Sequence, residues 1–180
     1  MAFTVIDHTE FSSGAVYWEE GSISSSYSAL VLKASVRSDY SDYMVHCHLQ
    51  VGNGSVDTGS NYSQSALYAK LYAPEAARDT SRSNLSYIYG SGASAGADCF
   101  GSIEIWFPSY SNTSNWKQII TRSVGENTDT TVNRWILSTT AGLWKATSAI
   151  DTVRLSVLDG SPDDFVQYST FTLYGLTNDA

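Results

Sequence analysis

The chain has 180 residues, of which 42% are hydrophobic and only 16% charged, with a formal net charge of −8. That length suffices for one domain with a proper core, with no need of disulfide or metal staples. The acidic balance, with a pI near 4.6, repels phosphate backbones, so nucleic acid is not an expected partner.

No run of 18 apolar residues offers a membrane-spanning helix, and no polybasic segment suggests a membrane surface. The N-terminus lacks a basic n-region and a long apolar stretch, so no secretion signal is expected. The glycosylation sequons at Asn53, Asn61, Asn84 and Asn112 then read as chance matches in a Ser-rich chain. Few charges, many hydroxyls and 12 Tyr suit β structure, since Thr and Tyr favour strands and Ser favours turns.

In chain order, Phe3–Ile6 and Val16–Glu19 are weak strand candidates. Residues 1–21 read either as an N-terminal arm outside the main body or as its first strands, with Glu19-Glu20-Gly21 marking entry to a sandwich over 22–180. Leu30, Leu32, Ala34 and Val36 then share one face of a strand, opposite Val31, Lys33, Ser35 and Arg37. Tyr43, Val45, Cys47, Leu49 and Val51 alternate with Met44, His46, His48 and Gln50. A weaker candidate covers Leu67–Tyr72, and Pro74-Glu75-Ala76-Ala77-Arg78 reads as the start of a short helical turn. Asp79 to Asp98 is polar and rich in Gly and Ala, which predicts a long surface loop.

Ile103, Ile105 and Phe107 alternate with Glu104 and Trp106, and Trp116–Arg122 and Val132–Ser138 are weaker strands. Val153, Leu155 and Val157 alternate with Arg154 and Ser156; Phe171, Leu173 and Gly175 alternate with Thr172 and Tyr174. Turns at Gly52-Asn53-Gly54, Asp57-Thr58-Gly59, Gly90-Ser91-Gly92 and Asp159-Gly160-Ser161-Pro162 separate the runs. About nine or ten short strands at this spacing predict one all-β domain, an antiparallel β-sandwich or jelly roll.

Reactive chemistry is sparse. His46 and His48 would point to one side of their strand, about 7 Å apart, with Cys47 on the other. Zinc wants three or four ligands, and His8 is the only other histidine, so no metal is expected here. Cys47 and Cys99 could form one disulfide or none, and buried free thiols are the plainer reading. Glu19-Glu20 and Asp163-Asp164 are adjacent carboxylates, and adjacency does not make a pair facing across a sugar. Asp57, Asp159, Asp163 and Asp164 lie in Gly-rich turns without EF-hand spacing and read as solvated turn carboxylates. No Gly-x-Ser-x-Gly, no P-loop and no Ser paired with His occurs, so no catalytic residue and no cofactor is assigned. The five Trp and 12 Tyr suit a core, a protein interface or a sugar-stacking platform. His46, His48, Trp106 and Tyr174, on the outward sides of their strands, are the candidate interface residues.

Five segments in order resemble a family of small jelly-roll proteins and domains in tailed-bacteriophage virions. They are 26–32 through Arg37-Ser38, Asp57-Thr58-Gly59-Ser60-Asn61-Tyr62-Ser63, Phe100–Ile105 through Pro108-Ser109-Tyr110, Gly142-Leu143-Trp144 through Ala149-Ile150, and Ser169–Gly175 with its terminal Leu-Tyr-Gly. The resemblance spans 26–176. It departs at Ser55-Val56, where the family usually carries Phe-Asn-Gly before the Asp.

The resemblance implies a β-sandwich that assembles as a homotrimer with a structural or attachment role and no catalysis. A Met-initiated chain carrying only this domain resembles a free-standing capsid decoration or cement subunit. Such a subunit is made in the host cytoplasm and binds the major capsid protein on the outer shell. The alternative is a receptor-binding, glycan-binding tail-fibre protein or a tail structural part.

Overall fold

The structure, a computed structural model, describes residues 2–70, 73–128, 135–157 and 163–177. Among them are twelve strands: β1 (Ala2–Glu10), β2 (Tyr17–Glu20), β3 (Ala29–Val36), β4 (Met44–Gly52), β5 (Tyr62–Lys70), β6 (Ala73–Arg82), β7 (Leu85–Ser91), β8 (Gly101–Pro108), β9 (Lys117–Gly125), β10 (Ile136–Trp144), β11 (Thr152–Val157) and β12 (Thr170–Thr177). One 3₁₀ turn, Ala93–Ala95, follows β7. Every strand pairing is antiparallel.

Two sheets result, an eight-stranded one in the order β1-β12-β3-β8-β9-β10-β5-β6 and a four-stranded one in the order β2-β11-β4-β7. The quartets β1-β12-β3-β8 and β2-β11-β4-β7 wind as two Greek keys, the connectivity of a jelly roll. Two hairpins are added to that frame. β5–β6 is inserted between β4 and β7, and β9–β10 between β8 and β11; both extend the first sheet beyond β8.

The alternating segments form strands because one side of each is sealed in the core. Leu30, Leu32, Val45, Cys47, Leu49, Ile103, Ile105, Phe107, Val153, Leu155, Phe171 and Leu173 all face inward in a single cluster. Residues 2–10 and 17–20 are the outer strands of the two sheets, not an arm lying apart from them: β1 pairs with β12 and β2 with β11. Trp18 locks both to the core, stacking on Phe171 at 5.6 Å while its indole N–H donates to Asp7.

Two expectations from the sequence are corrected. Pro74–Arg78 is no helical turn; it lies in β6, paired to β5 from Lys70↔Ala73 to Tyr62↔Arg82. β6 ends its sheet, where Pro is tolerated, and pairing overrides the local helix preference of Glu-Ala-Ala-Arg. Asp79–Asp98 is no single surface loop, since it carries the end of β6 and all of β7. The β7 sequence Leu-Ser-Tyr-Ile-Tyr-Gly-Ser shows no alternation because the strand is covered on both sides. The Asp159–Pro162 turn, Tyr72 and the 132–134 part of the weak strand lie outside the described residues.

The covering of β7 defines the molecule. β7 pairs with β4 on one edge, which leaves its other edge without a strand. The hairpin strands meet that edge with side chains. Ser138 and Thr140 of β10 both donate to Tyr87 O, at 2.9 and 3.0 Å. Ser123 Oγ of β9 accepts from Tyr89 N at 3.0 Å, and Gln64 Oε1 of β5 accepts from Ser86 N at 2.8 Å. Gly142 allows the close approach, because a Cβ there would sit 2.3 Å from Leu85 Cδ1. The inward faces of β9 and β10 are therefore polar in the middle (Thr121, Ser123, Ser138, Thr140), although buried.

Removing one of the two hydroxyls on Tyr87 O leaves the carbonyl paired. Ser138→Ala or Thr140→Val alone should each cost under about 1 kcal/mol, and the double variant about 2–3 kcal/mol, more than the sum, because it strands a buried acceptor. Urea denaturation of the four proteins measures this; strict additivity would show that the hydroxyls do not share one acceptor.

Candidate interaction surfaces

The outer face of the eight-stranded sheet carries cross-strand rows, one of which spans six of its strands. One row is Val5–Tyr174–Val31–Trp106–Ile120–Ala141. Another is Val124–Leu137–Ala69–Pro74, and between them lies Arg122–Thr139–Leu67–Ala76. Side chains two apart on a strand share a face, so these rows form one surface. Leu67 is 64% exposed, Val5 55%, Leu137 54%, Phe3 53%, Ile120 45% and Val124 43%. Single exposed apolar residues need no explanation, but a contiguous patch marks an interaction surface.

Charge crosses this surface in the middle row. Lys33 Nζ and Arg122 Nη1 lie 3.3 and 3.9 Å from the two oxygens of Glu104. The indole of Trp106 also donates to Glu104 at 2.8 Å. That bond comes first among the effects that hold the Glu104 carboxyl below its usual range, with Lys33 and Arg122 assisting against burial.

The structure brings two of the four sequence-selected residues together. Trp106 and Tyr174 flank Val31 on the large sheet, and Phe3 packs edge-on against Tyr174 at 5.9 Å. His46 and His48 lie elsewhere, on the outer side of β4 in the small sheet, with Cys47 facing the core. His48 is buried, 6% exposed, where the β4–β7 register shifts. His46 Nδ1 donates to Ser86 O at 3.0 Å and its ring lies 4.5 Å from Tyr89. Burial against this neighbourhood lowers the His46 pKa, outweighing the bond to Ser86. Among the described residues, no three of His, Cys, Asp and Glu converge as metal ligands.

The sequence reading missed Leu67, Ile120, Val124 and Leu137. Their signal was available in Ile119-Ile120 and Ile136-Leu137, where apolar residues occupy both faces of a strand. Of the adjacent carboxylates, Glu19 forms an ion pair, while Asp164 is tied in through its backbone. Glu19 pairs with Arg154 at 2.6 Å, and Asp39 and Asp164 exchange bonds through Asp164 N–H to Asp39 Oδ1 and Asp39 N–H to Asp164 O.

The Asp57–Tyr62 segment is a clasp. Asp57 accepts from Gly59 N, Asn61 Nδ2 and the Trp144 indole, each at 2.8 Å. The Tyr62 hydroxyl donates to Val51 O at 2.8 Å and lies 3.0 Å from Asp57 O. Burial alone would raise the Asp57 carboxyl, but the bonds from Trp144, Asn61 and Gly59 more than offset it and leave it lowered. Two segments of the phage resemblance, at 57–63 and 142–150, thus meet through one side-chain bond.

Lys117 is buried, with Nζ donating to Asn115 O and Thr147 O at 2.7 and 3.1 Å, and burial lowers its pKa. Cys47 and Cys99 are free thiols, and burial pushes Cys47 up to about 12.

The chain matches no protein-family model, and no curated protein and no solved structure is detectably similar to it.

Asp57→Ala should lower stability by about 2 kcal/mol through three lost charge-assisted bonds. Because the folded carboxyl is depressed, its contribution is full above the unfolded value of about 3.9 and fades as pH falls through the folded value. Asp57→Asn should therefore flatten the loss of stability below about pH 4. Chemical denaturation across that range decides, and an unaltered pH slope would contradict the clasp. A thiol reagent should label Cys99 in the native protein and Cys47 only after unfolding, since the buried thiol cannot ionise.

Proposed function

We propose that this protein is a structural virion subunit of a tailed bacteriophage, a capsid decoration or cement protein that assembles as a homotrimer. The observation that carries the assembly part is the apolar outer face of the eight-stranded sheet. A monomer would leave it in water, and burial of such area drives association. Its occupant is a second copy of the chain. The face holds cations and an anion side by side, Lys33, Arg122 and Glu104, within apolar rows, so around a threefold axis one part of the face can meet a different part on the next copy with both signs of charge available. The ordered motifs over 26–176 support the virion placement, and the jelly-roll connectivity agrees with them.

In the cement role the trimer spans joints between capsid subunits in the expanded shell. It binds that state better than the unexpanded one, and such differential binding stabilises the shell. Closed threefold symmetry suits local threefold positions of the lattice. An acidic net charge of −8 suits the outer surface, away from packaged DNA.

Light scattering with sedimentation should give a species of three times the 19.6 kDa chain mass. Ile120→Glu or Leu137→Glu should return it to a folded monomer, because each would bury an unpaired carboxylate in the interface. A wild-type monomer would overturn the self-association. Particles lacking the protein should release DNA at a lower temperature than complete ones, and equal heat resistance would overturn the cement role.

A further inference from the structure

The β5–β6 hairpin carries Leu67, Ala69, Pro74 and Ala76 on its outward side towards the tip, and on its inward side Gln64 and Asp79 face the edge of β7. Beneath it opens a cleft of about 710 Å³, lined by His46 and His48 of β4, Asp79 and Arg82 of β6, Asn84 of the turn and Tyr87 of β7, with serine hydroxyls between them. That volume lies within the range of small-molecule sites.

Its polar groups are set in place. Gln64 Nε2 donates to Asp79 Oδ2 at 3.1 Å and to Ser86 Oγ at 3.0 Å, and the Tyr87 ring is stacked on Tyr68 at 5.6 Å. His46 spends its Nδ1 proton on Ser86 O, which leaves Nε2 as an acceptor. Asn84 is 3% exposed, and its Oδ1 has no hydrogen-bond partner among the described residues, while Nδ2 donates to Ser83 Oγ at 3.3 Å. That oxygen is sealed from the cleft itself, so the acceptor that faces a ligand is His46 Nε2.

The mixture of groups selects the ligand class. A simple anion would meet Arg82 but also Asp79, and a metal ion would find too few ligands. A sugar ring presents hydroxyls that both donate and accept. We propose that this cleft binds a neutral saccharide, with Arg82 and Asp79 holding ring hydroxyls, His46 Nε2 taking a hydroxyl proton and Tyr87 supplying the aromatic wall. The cleft lies on the side of the hairpin away from the apolar face, so the proposal stands or falls independently of the trimer.

The test is a two-dimensional amide NMR titration of the full chain with maltotriose, cellotriose, chitotriose and lactose, each taken to about 10 mM. At least one should shift the amide signals of Ser83–Tyr87 with a dissociation constant of about 1 mM or tighter. Arg82→Ala should weaken that binding about tenfold while leaving the thermal midpoint unchanged, and Asp79→Asn should weaken it too. The proposal is overturned if no sugar moves these signals, if the shifts map to another surface, or if Arg82→Ala binds as the wild type does.

Discussion

An edge strand that is buried must still pair its backbone, and the architecture on the β7 side of the molecule follows from how β7 meets that demand. A jelly roll of two four-stranded sheets would leave β7 open to water on one edge. Here the eight-stranded sheet continues past β8 and passes over that edge, so water cannot serve the exposed amides and carbonyls. The hydroxyls of Ser123, Ser138 and Thr140 and the amide of Gln64 take water's place. That requirement explains why strands sealed inside a sandwich carry Ser and Thr where Val and Ile would be expected, and why glycine stands at 142.

The same continuation creates the outer surface. Four strands added to one sheet contribute their inner sides to β7 and their outer sides to solvent. β9 and β10 are consequently demanding strands: the middle of their inner sides carries hydroxyls, Thr121 and Ser123 on one and Ser138 and Thr140 on the other, and their outer positions carry Ile120, Val124 and Leu137. A protein that stayed alone in water would gain solubility from polar residues there. Apolar rows with an embedded Lys–Glu–Arg group are what a recurring contact with another copy would select. The hairpin β5–β6 separates the two surfaces, with Leu67, Ala69, Pro74 and Ala76 on one side and the cleft on the other.

Among the segments singled out by their order along the chain, three have a clear structural meaning. Asp57 gathers the turn 57–62 and ties it to Trp144, so two distant motifs are one clasp. The terminal Leu-Tyr-Gly places Tyr174 outward beside Val31 and sets Gly175 beneath the Tyr27 ring, where a Cβ would sit 2.4 Å from ring carbons. These residues are therefore explained by packing, and the functional weight passes to the surfaces they support.

The amino-acid sequence by itself determined the all-β class and the inward faces of β3, β4, β8, β11 and β12. Period-two alternation is a local property, and a strand with one dry and one wet side writes it directly into the chain. It also placed Trp106 and Tyr174 outward. Only the tertiary structure decided that β6 and β7 are strands, because one is an edge with no buried side and the other is buried on both, and neither condition produces alternation. Only it joined Leu67, Ile120, Val124 and Leu137 into one patch, and His46, Asp79, Arg82 and Asn84 into one cleft. Those groupings are set by which strands lie side by side, and strand neighbours in a jelly roll are far apart in sequence.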